Sequence, residues 1–469
     1  MARILVASLP FAGHVGPLGA LSGELVDRGH AVTAYTGTRY RDRFAGADLL
    51  RWNRAPDFDD ADLAATFPRI GDGKGARGAI ANSRYVLFGT AAAQAQDILA
   101  AARAAPFDLI VTDQLAFGGA LAGEKLGVPW VSVAVTPLNL PSRDLPPPGM
   151  RVRPAAGRTI RPATGRALRT RDAALRGLLR AGSRLLEPQI TRMRATVGLG
   201  PAASGGIDRL YSPHLVLAQG VPGLEYHRSD LPPHVRFVGR LARQRAATEA
   251  GAVQPDPVQP DPVQAAAAPG CGPALRAVAG GADPEPELPP WWPELAAARA
   301  AGRPVVHVTQ GTLDVDPTDL LRPAVTGLAG EPALVVCTTG GRDPAVLDPL
   351  PDNARVARFL PHDLLLPLVD AMVTNGGWGG VLNAVHAGVP LVVAGGSLDK
   401  PEVARRVAWS GVGLDLRTGR PRPERIRRAV TEVLARPAFR RRTAELSAAL
   451  DAAGGTPRAA ALIEELLAR

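Results

Sequence analysis

Short apolar runs recur along both halves of the chain, separated by stretches whose apolar residues fall at helical spacing. In the first half they occupy residues 3–9, 30–35, 108–112 and 128–133, with 18–28 helical in pattern. The second half repeats the arrangement at 304–309, 333–338, 355–359, 371–374 and 389–394. A strand that reads as a continuous apolar run, rather than an alternating one, is buried on both faces, as in a parallel sheet covered by helices. The pattern predicts an α/β chain of two doubly wound, Rossmann-like domains. Ligands in such sheets bind beyond the carboxyl ends of the strands, so those ends are where chemistry is expected.

Between the halves the pattern fails. Residues 244–290 contain VQPDPVQPDPVQ, AAAAPGCGP and DPEPELPP. Proline at this density removes backbone donors and leaves little to bury, so a flexible linker or insertion is expected. The organisation read from the sequence is a first Rossmann-like domain over 1–235, an insertion over 242–290 and a second Rossmann-like domain over 291–469, with a hinge near 235–241. The insertion before Trp291 adds slack without replacing that hinge. The last helix, about 458–467, is expected to cross back to the first domain. Residues 151–194 are rich in arginine, and Leu168, Leu175, Leu178, Leu179, Leu185 and Leu186 offer one apolar side. That stretch reads as a solvated helix over a cleft or as a weak contact with an anionic membrane surface.

At 469 residues the chain is too long for one ordinary core. A net charge of +10 suggests nucleic acid at first sight. Yet the only lysines are Lys74, Lys125 and Lys400, and no aromatic residues alternate with the arginines at a base-stacking spacing, so no nucleic-acid partner is expected. Cys271 and Cys337 make neither a disulfide framework nor a metal cluster, which suits a reducing cytoplasm. No run of apolar residues is long enough to span a membrane. The amino terminus lacks a small-residue cleavage site and serves better as a first strand than as an export signal.

The most informative segment is MVTNGGWGGVLNAVHAGVPLVVAGGSLDK, residues 372–400. A buried strand, a glycine turn and a helix follow one another there, with glycine at 376, 377, 379 and 380. Free amides at a helix start, together with the helix dipole, favour the oxygens of a diphosphate. The order and spacing resemble the donor-sugar signature of the GT-B glycosyltransferases that use nucleotide-diphosphate sugars, the superfamily of antibiotic, sterol and flavonoid glycosyltransferases. The segment RFLPHDLLLP, containing His362, matches the position of that family's aromatic-X-Pro-Gln element. The resemblance makes Phe359 the residue that stacks on the base and Leu360 the one presenting backbone to its edge. VVHVTQGT brings Gly311 and Thr312 to the phosphates from the opposite side.

Several positions depart from the family pattern. Asn375 stands where histidine is usual, and it donates through an amide but carries no charge. Gly380 replaces a phosphate-binding serine or threonine, leaving Gly376, Gly377, Gly379 and Gly380 to act through backbone alone. Asn383 replaces the glutamate that grips the ribose diol, and Asp399-Lys400 replaces the usual Asp-Gln pair at the sugar. Lys400 could return the cation that Asn375 lacks. The weaker diol grip tilts the donor from a UDP-sugar toward a dTDP-sugar, by about 1 kcal/mol at most for one hydrogen bond.

The resemblance also implies the chemistry. His14, in LPFAGHVGPL just before the helix at Leu18, matches the family's catalytic histidine, and histidine is poised between acid and base near neutral pH. Asp113, ending the strand of 108–112, holds the place of its partner carboxylate, whereas Asp108 lies at the wrong end. The reaction implied is a single inverting displacement. Two Asp-X-Asp triplets, Asp57-Phe58-Asp59 and Asp314-Val315-Asp316, spell the metal motif of another glycosyltransferase fold, but neither sits suitably, and neither metal nor cofactor is expected. The acceptor pocket is expected around 82–88 and 137–150, for a hydrophobic alcohol or phenol such as a polyketide, macrolide or flavonoid. The competing readings are a nucleotide-sugar-binding pseudoenzyme or accessory subunit, and another GT-B activity such as an epimerase.

Overall fold

The computed structural model describes residues 1–70, 75–145, 165–183, 187–201, 211–243, 288–311 and 316–469. Most of the predicted insertion, with Cys271, therefore lies outside the described residues, as do Thr312, Asp314, Leu185 and Leu186. Residues 1–243 and 290–469 form one compact body.

That body is built on two sheets. The first contains β1 (Arg3–Ala7), β2 (Ala31–Thr36), β3 (Asp48–Arg51), β4 (Leu109–Asp113), β5 (Trp130–Ala134), β6 (Leu215–Ala218) and β7 (Val235–Phe237), in the order β3-β2-β1-β4-β5-β6-β7. The second contains β8 (Val305–Thr309), β9 (Leu334–Thr338), β10 (Ala354–Ala357), β11 (Ala371–Thr374), β12 (Leu391–Val393) and β13 (Gly413–Asp415), in the order β10-β9-β8-β11-β12-β13. All ladders are parallel. All five residues of β4, β5, β8 and β9 are buried, which is why these strands read as unbroken apolar runs. In each sheet the chain order reverses once, between β1 and β4 and between β8 and β11. A crevice opens at such a reversal. His14 and Asp113 lie at the first; Gly311 and the 375–380 turn lie at the second.

Strands β3, β6, β7 and β13 were not expected. All four have only three or four residues, too short for a periodicity to register. The region read as a hinge therefore starts with an edge strand, and the chain leaves the first sheet only after Phe237. The helix after β1 also differs from expectation. It runs Ala12–Asp27, so His14 sits within its first turn and not in a loop ahead of Leu18. Gly13, Gly16 and Pro17 disguise this start, because each is a poor helix former. Tertiary contacts overcome that handicap: the Asp60 carboxylate accepts from the Ala12 amide at 2.9 Å, and Val15, Leu18, Leu21 and Leu25 are buried.

The carboxyl-terminal helix, Gly455–Leu467, seats Ala459, Ala460, Leu462 and Ile463 against the same four apolar residues, so it supports the element that carries His14. Arg28 and His30 reach Glu464 at 2.9 and 3.2 Å on its margin. Each buried Leu or Ile contributes about 1.5–3 kcal/mol, against about 0–1 kcal/mol for an exposed ion pair, so the apolar seam holds the helix. The arginine-rich stretch forms helices Arg166–Ser183 and Glu187–Thr196, with Leu178 exposed. Among the described residues no helix is long and apolar enough to cross a membrane. Cys337 is a buried thiol, which burial pushes up to about 12.

Candidate functional site

His14 Nδ1 donates to Asp113 Oδ2 at 2.6 Å. The carboxylate has no exposure, while the imidazole keeps 14% of its side-chain surface open. Asp113 also accepts from the backbone amides of Leu9 and Leu115, at 3.4 and 2.9 Å. With Nδ1 committed, Nε2 is the nitrogen left for a substrate proton. Burial opposes charge on the ring, but the charge and hydrogen bond of Asp113 outweigh it, and Asp399 and Asp60 add to them. The net effect raises His14 above its ordinary value of 6.5. Asp399 belongs to the second sheet's half, so its charge reaches the imidazole from the other side of the crevice. Phe11 lies beside His14, with ring centroids 5.2 Å apart, and leads through Phe58 to Phe67 and Trp52.

On the second sheet, β11 runs into Gly376, whose φ of +93° is open only to glycine without strain. A Cβ there would lie 2.8 Å from Val393 and 3.3 Å from the Lys400 carbonyl oxygen, so the turn and the Asp399-Lys400 step are pressed together. The helix Trp378–His386 then starts from Gly377, which supplies no side-chain cap. A Cβ on Gly377 or Gly379 would meet no atom within 4 Å. Packing does not require glycine at these two positions, and the helix start without a side-chain cap suits an anion.

The departing residues are engaged by the protein itself. Asn375 donates its amide to the Gln310 carbonyl and accepts from the Gly377 amide at 3.4 Å, bracing the glycine turn against the turn after β8. Gln310 also accepts from the amides of Leu320 and Leu321. Asn383 Oδ1 accepts from Arg240 at 3.1 Å, and its amide meets His362 Nδ1 at 3.2 Å. Burial lowers His362; Asp363 opposes and Arg240 adds to that shift. Beneath it, burial pushes His307 down to about 3. Lys400 is nearly buried at the first residue of the helix Lys400–Ser410. Phe359 keeps 63% of its surface exposed and rests against Gly341, leaving a ring face outward, and Leu360 is buried. Gly311 has a φ of +71° and faces Asn375.

On the acceptor side, Ser83–Leu87 is a π-helical turn leading into the helix Phe88–Ala104. Such turns recur where a fold shapes a functional surface. Residues 137–145 follow β5, and 146–150 lie outside the described residues. Tyr211 links this loop to the base pair's neighbour, donating to Gln114 at 3.1 Å and accepting from the Asn139 amide at 3.4 Å.

Sequence reasoning missed Asp60, Gln310 and Arg240. Asp60 stood in the acidic run weighed only as a metal motif. In the structure Asp57 accepts from the Thr38 amide, Asp59 pairs with Arg39, and Asp60 caps the His14 helix. Among the described residues no group of His, Cys, Asp and Glu is arranged to hold a metal ion.

Residues 326–467 match the family described as erythromycin biosynthesis protein CIII-like, C-terminal domain. The chain is 39% identical to 4'-demethylrebeccamycin synthase of Lentzea aerocolonigenes over 99% of its own length and all of that protein's. It is 27% identical to UDP-glucosyltransferase B1 of Starmerella bombicola, covering 93% and 92% of the two chains. Among solved structures, the glycotransferase of kitacinnamycin superposes with a TM-score of 0.66 at 23% identity, over 99% and 98% of the chains. The glycosyltransferase VinC in complex with DTDP gives 0.65 at 21%, over the whole of both.

Proposed function

The chain belongs to the nucleotide-sugar-dependent GT-B glycosyltransferases of natural-product biosynthesis, and from that premise we propose an inverting transfer from a UDP- or dTDP-sugar to a hydroxyl of a hydrophobic acceptor, with His14 as base. The observation that carries this reading is the 2.6 Å His14–Asp113 pair, whose imidazole also feels the charge of Asp399, a residue of the half that carries the uncapped glycine turn.

Neutral His14 takes the acceptor proton at Nε2 as the acceptor oxygen bonds to the anomeric carbon. The bond from that carbon to the diphosphate oxygen breaks, and its electron pair leaves on the diphosphate. Asp113 stabilises the imidazolium as it forms. The first-turn amides after Gly377 face the leaving charge, so the proposal needs no metal. Transfer requires the crevice to exclude water, because water would otherwise compete as acceptor. The aromatic neighbours of His14 suit an apolar acceptor.

The test is nucleoside diphosphate release with a panel of phenols and aliphatic alcohols, with mass spectrometry of products formed from mixed UDP- and dTDP-sugars. A chain that holds nucleotide sugar in calorimetry yet releases nothing with any acceptor is the binder or accessory subunit instead. Lys400→Met is expected to weaken nucleotide-sugar affinity by about fivefold to tenfold, the worth of one charge-assisted contact. An unchanged dissociation constant in calorimetry would remove Lys400 from the donor site.

A further inference from the structure

The segment after β6 carries a buried charge network that the transfer chemistry does not use. Glu225 is 6% exposed and Arg406, on the Lys400–Ser410 helix, only 1%. Arg406 donates to Glu225 Oε1 from Nη2 at 2.7 Å and from Nε at 3.1 Å, and its Nη1 donates to Glu402 at 2.6 Å. Its guanidinium lies 4.5 Å from the centre of the Tyr226 ring. A second arginine, Arg228, approaches the same Glu225 oxygen at 3.7 Å. Two buried arginines thus converge on Glu225, and Glu402 on the margin pairs with both Arg406 and Arg405.

The other end of the network holds the loop after β5. Arg228 donates to the carbonyl oxygens of Leu138, at 3.0 Å, and Leu140. Two residues on, Asp230 accepts from the Ser142 hydroxyl at 2.6 Å and the Arg143 amide at 2.8 Å. Residues 138–143 are therefore fastened to a segment whose next polar contact is the helix that begins at Asp399-Lys400. The same loop touches Tyr211 and, through it, Gln114 beside Asp113.

We infer that Glu225 is a positioning residue that, through Arg228 and Arg406, sets the acceptor loop 138–143 in register with the sugar end of the donor site. This rests on the transfer reading above. A carboxylate shared by two buried arginines fixes two elements in one geometry, because without it Arg228 would lose its paired carboxylate in a buried site and Arg406 would keep only Glu402. Displacing a loop that holds the acceptor weakens acceptor binding, which raises its KM while the reacting groups stay in place.

Two variants test it, measured against wild type in the full chain. Glu225→Gln keeps the shape and removes the charge; Arg228→Lys keeps the charge and loses the fork to the two carbonyls. Both are expected to raise acceptor KM by about tenfold or more, with nucleotide-sugar KM within about twofold. A merely structural role lowers kcat with the folded fraction and leaves acceptor KM alone, so that result overturns the inference. A rise confined to donor KM overturns it as well. Should Glu225→Gln fail to fold, Arg228→Lys supplies the reading. A wild-type chain that transfers to no acceptor defeats the transfer reading first, which separates the two failures.

Discussion

His14→Ala is expected to lower kcat by about 10³-fold, roughly 4 kcal/mol of transition-state stabilisation, while nucleotide-sugar affinity changes by less than about twofold. The imidazole lies on the first sheet's side of the crevice, and the glycine turn and Phe359 lie on the second. The two losses should therefore separate. The fold tolerates the change, because Asp113 keeps the Leu9 and Leu115 amides as donors when the imidazole is gone. Steady-state kinetics paired with calorimetry checks this. Retention of more than about a tenth of wild-type turnover would mean that another group takes the proton, since a general base supplies at least about 10²-fold. Loss of donor binding in step with turnover would mean that His14 shapes the donor site.

The legible parts of this molecule are those written in local pattern. Strands β1, β4, β8 and β11 are buried on both faces and announce themselves as apolar runs, and they are the strands whose ends carry the site. The 376–380 turn is visible because glycine spacing reports a backbone need directly: Gly376 adopts a φ of +93° with Val393 against it. The illegible parts join segments far apart in the chain. Asp60 reaches Ala12 across 48 residues, Arg240 reaches Asn383 across 143, and Arg406 reaches Glu225 across 181. No window of sequence contains both partners. Asn383 shows the consequence: alone it reads as a weakened ribose ligand, but its oxygen already accepts from Arg240 and its amide meets His362. The helix at Ala12 was hidden for a related reason, since its own residues disfavour it and the stabilising carboxylate comes from another loop.

Asp113→Asn should be nearly as damaging as loss of the base, and more informative, because it alters the pH profile as well as the rate. In the wild type His14 must be neutral to accept a proton, and its pKa stands above 6.5. Turnover should therefore rise with pH through that raised value and level off above it. Folding stability runs the other way: the contribution of protonated His14 is complete below the unfolded pKa and is lost as pH climbs through the folded one. With asparagine at 113 the charge and the charge-assisted hydrogen bond disappear, and burial, which lowers the pKa and is the largest influence, is opposed only by Asp399 and Asp60. The acidic limb should move to lower pH. The plateau should nonetheless fall by about 10²- to 10⁴-fold, because the imidazolium loses its counter-charge and an amide NH₂ directed at Nδ1 favours the tautomer with Nε2 protonated. Profiles of kcat/KM from about pH 5 to 9 test both parts, because they report the free enzyme's ionisations. A limb that stays in place, or a plateau within about threefold of wild type where at least 10²-fold is expected, would show that Asp113 holds the ring without tuning it.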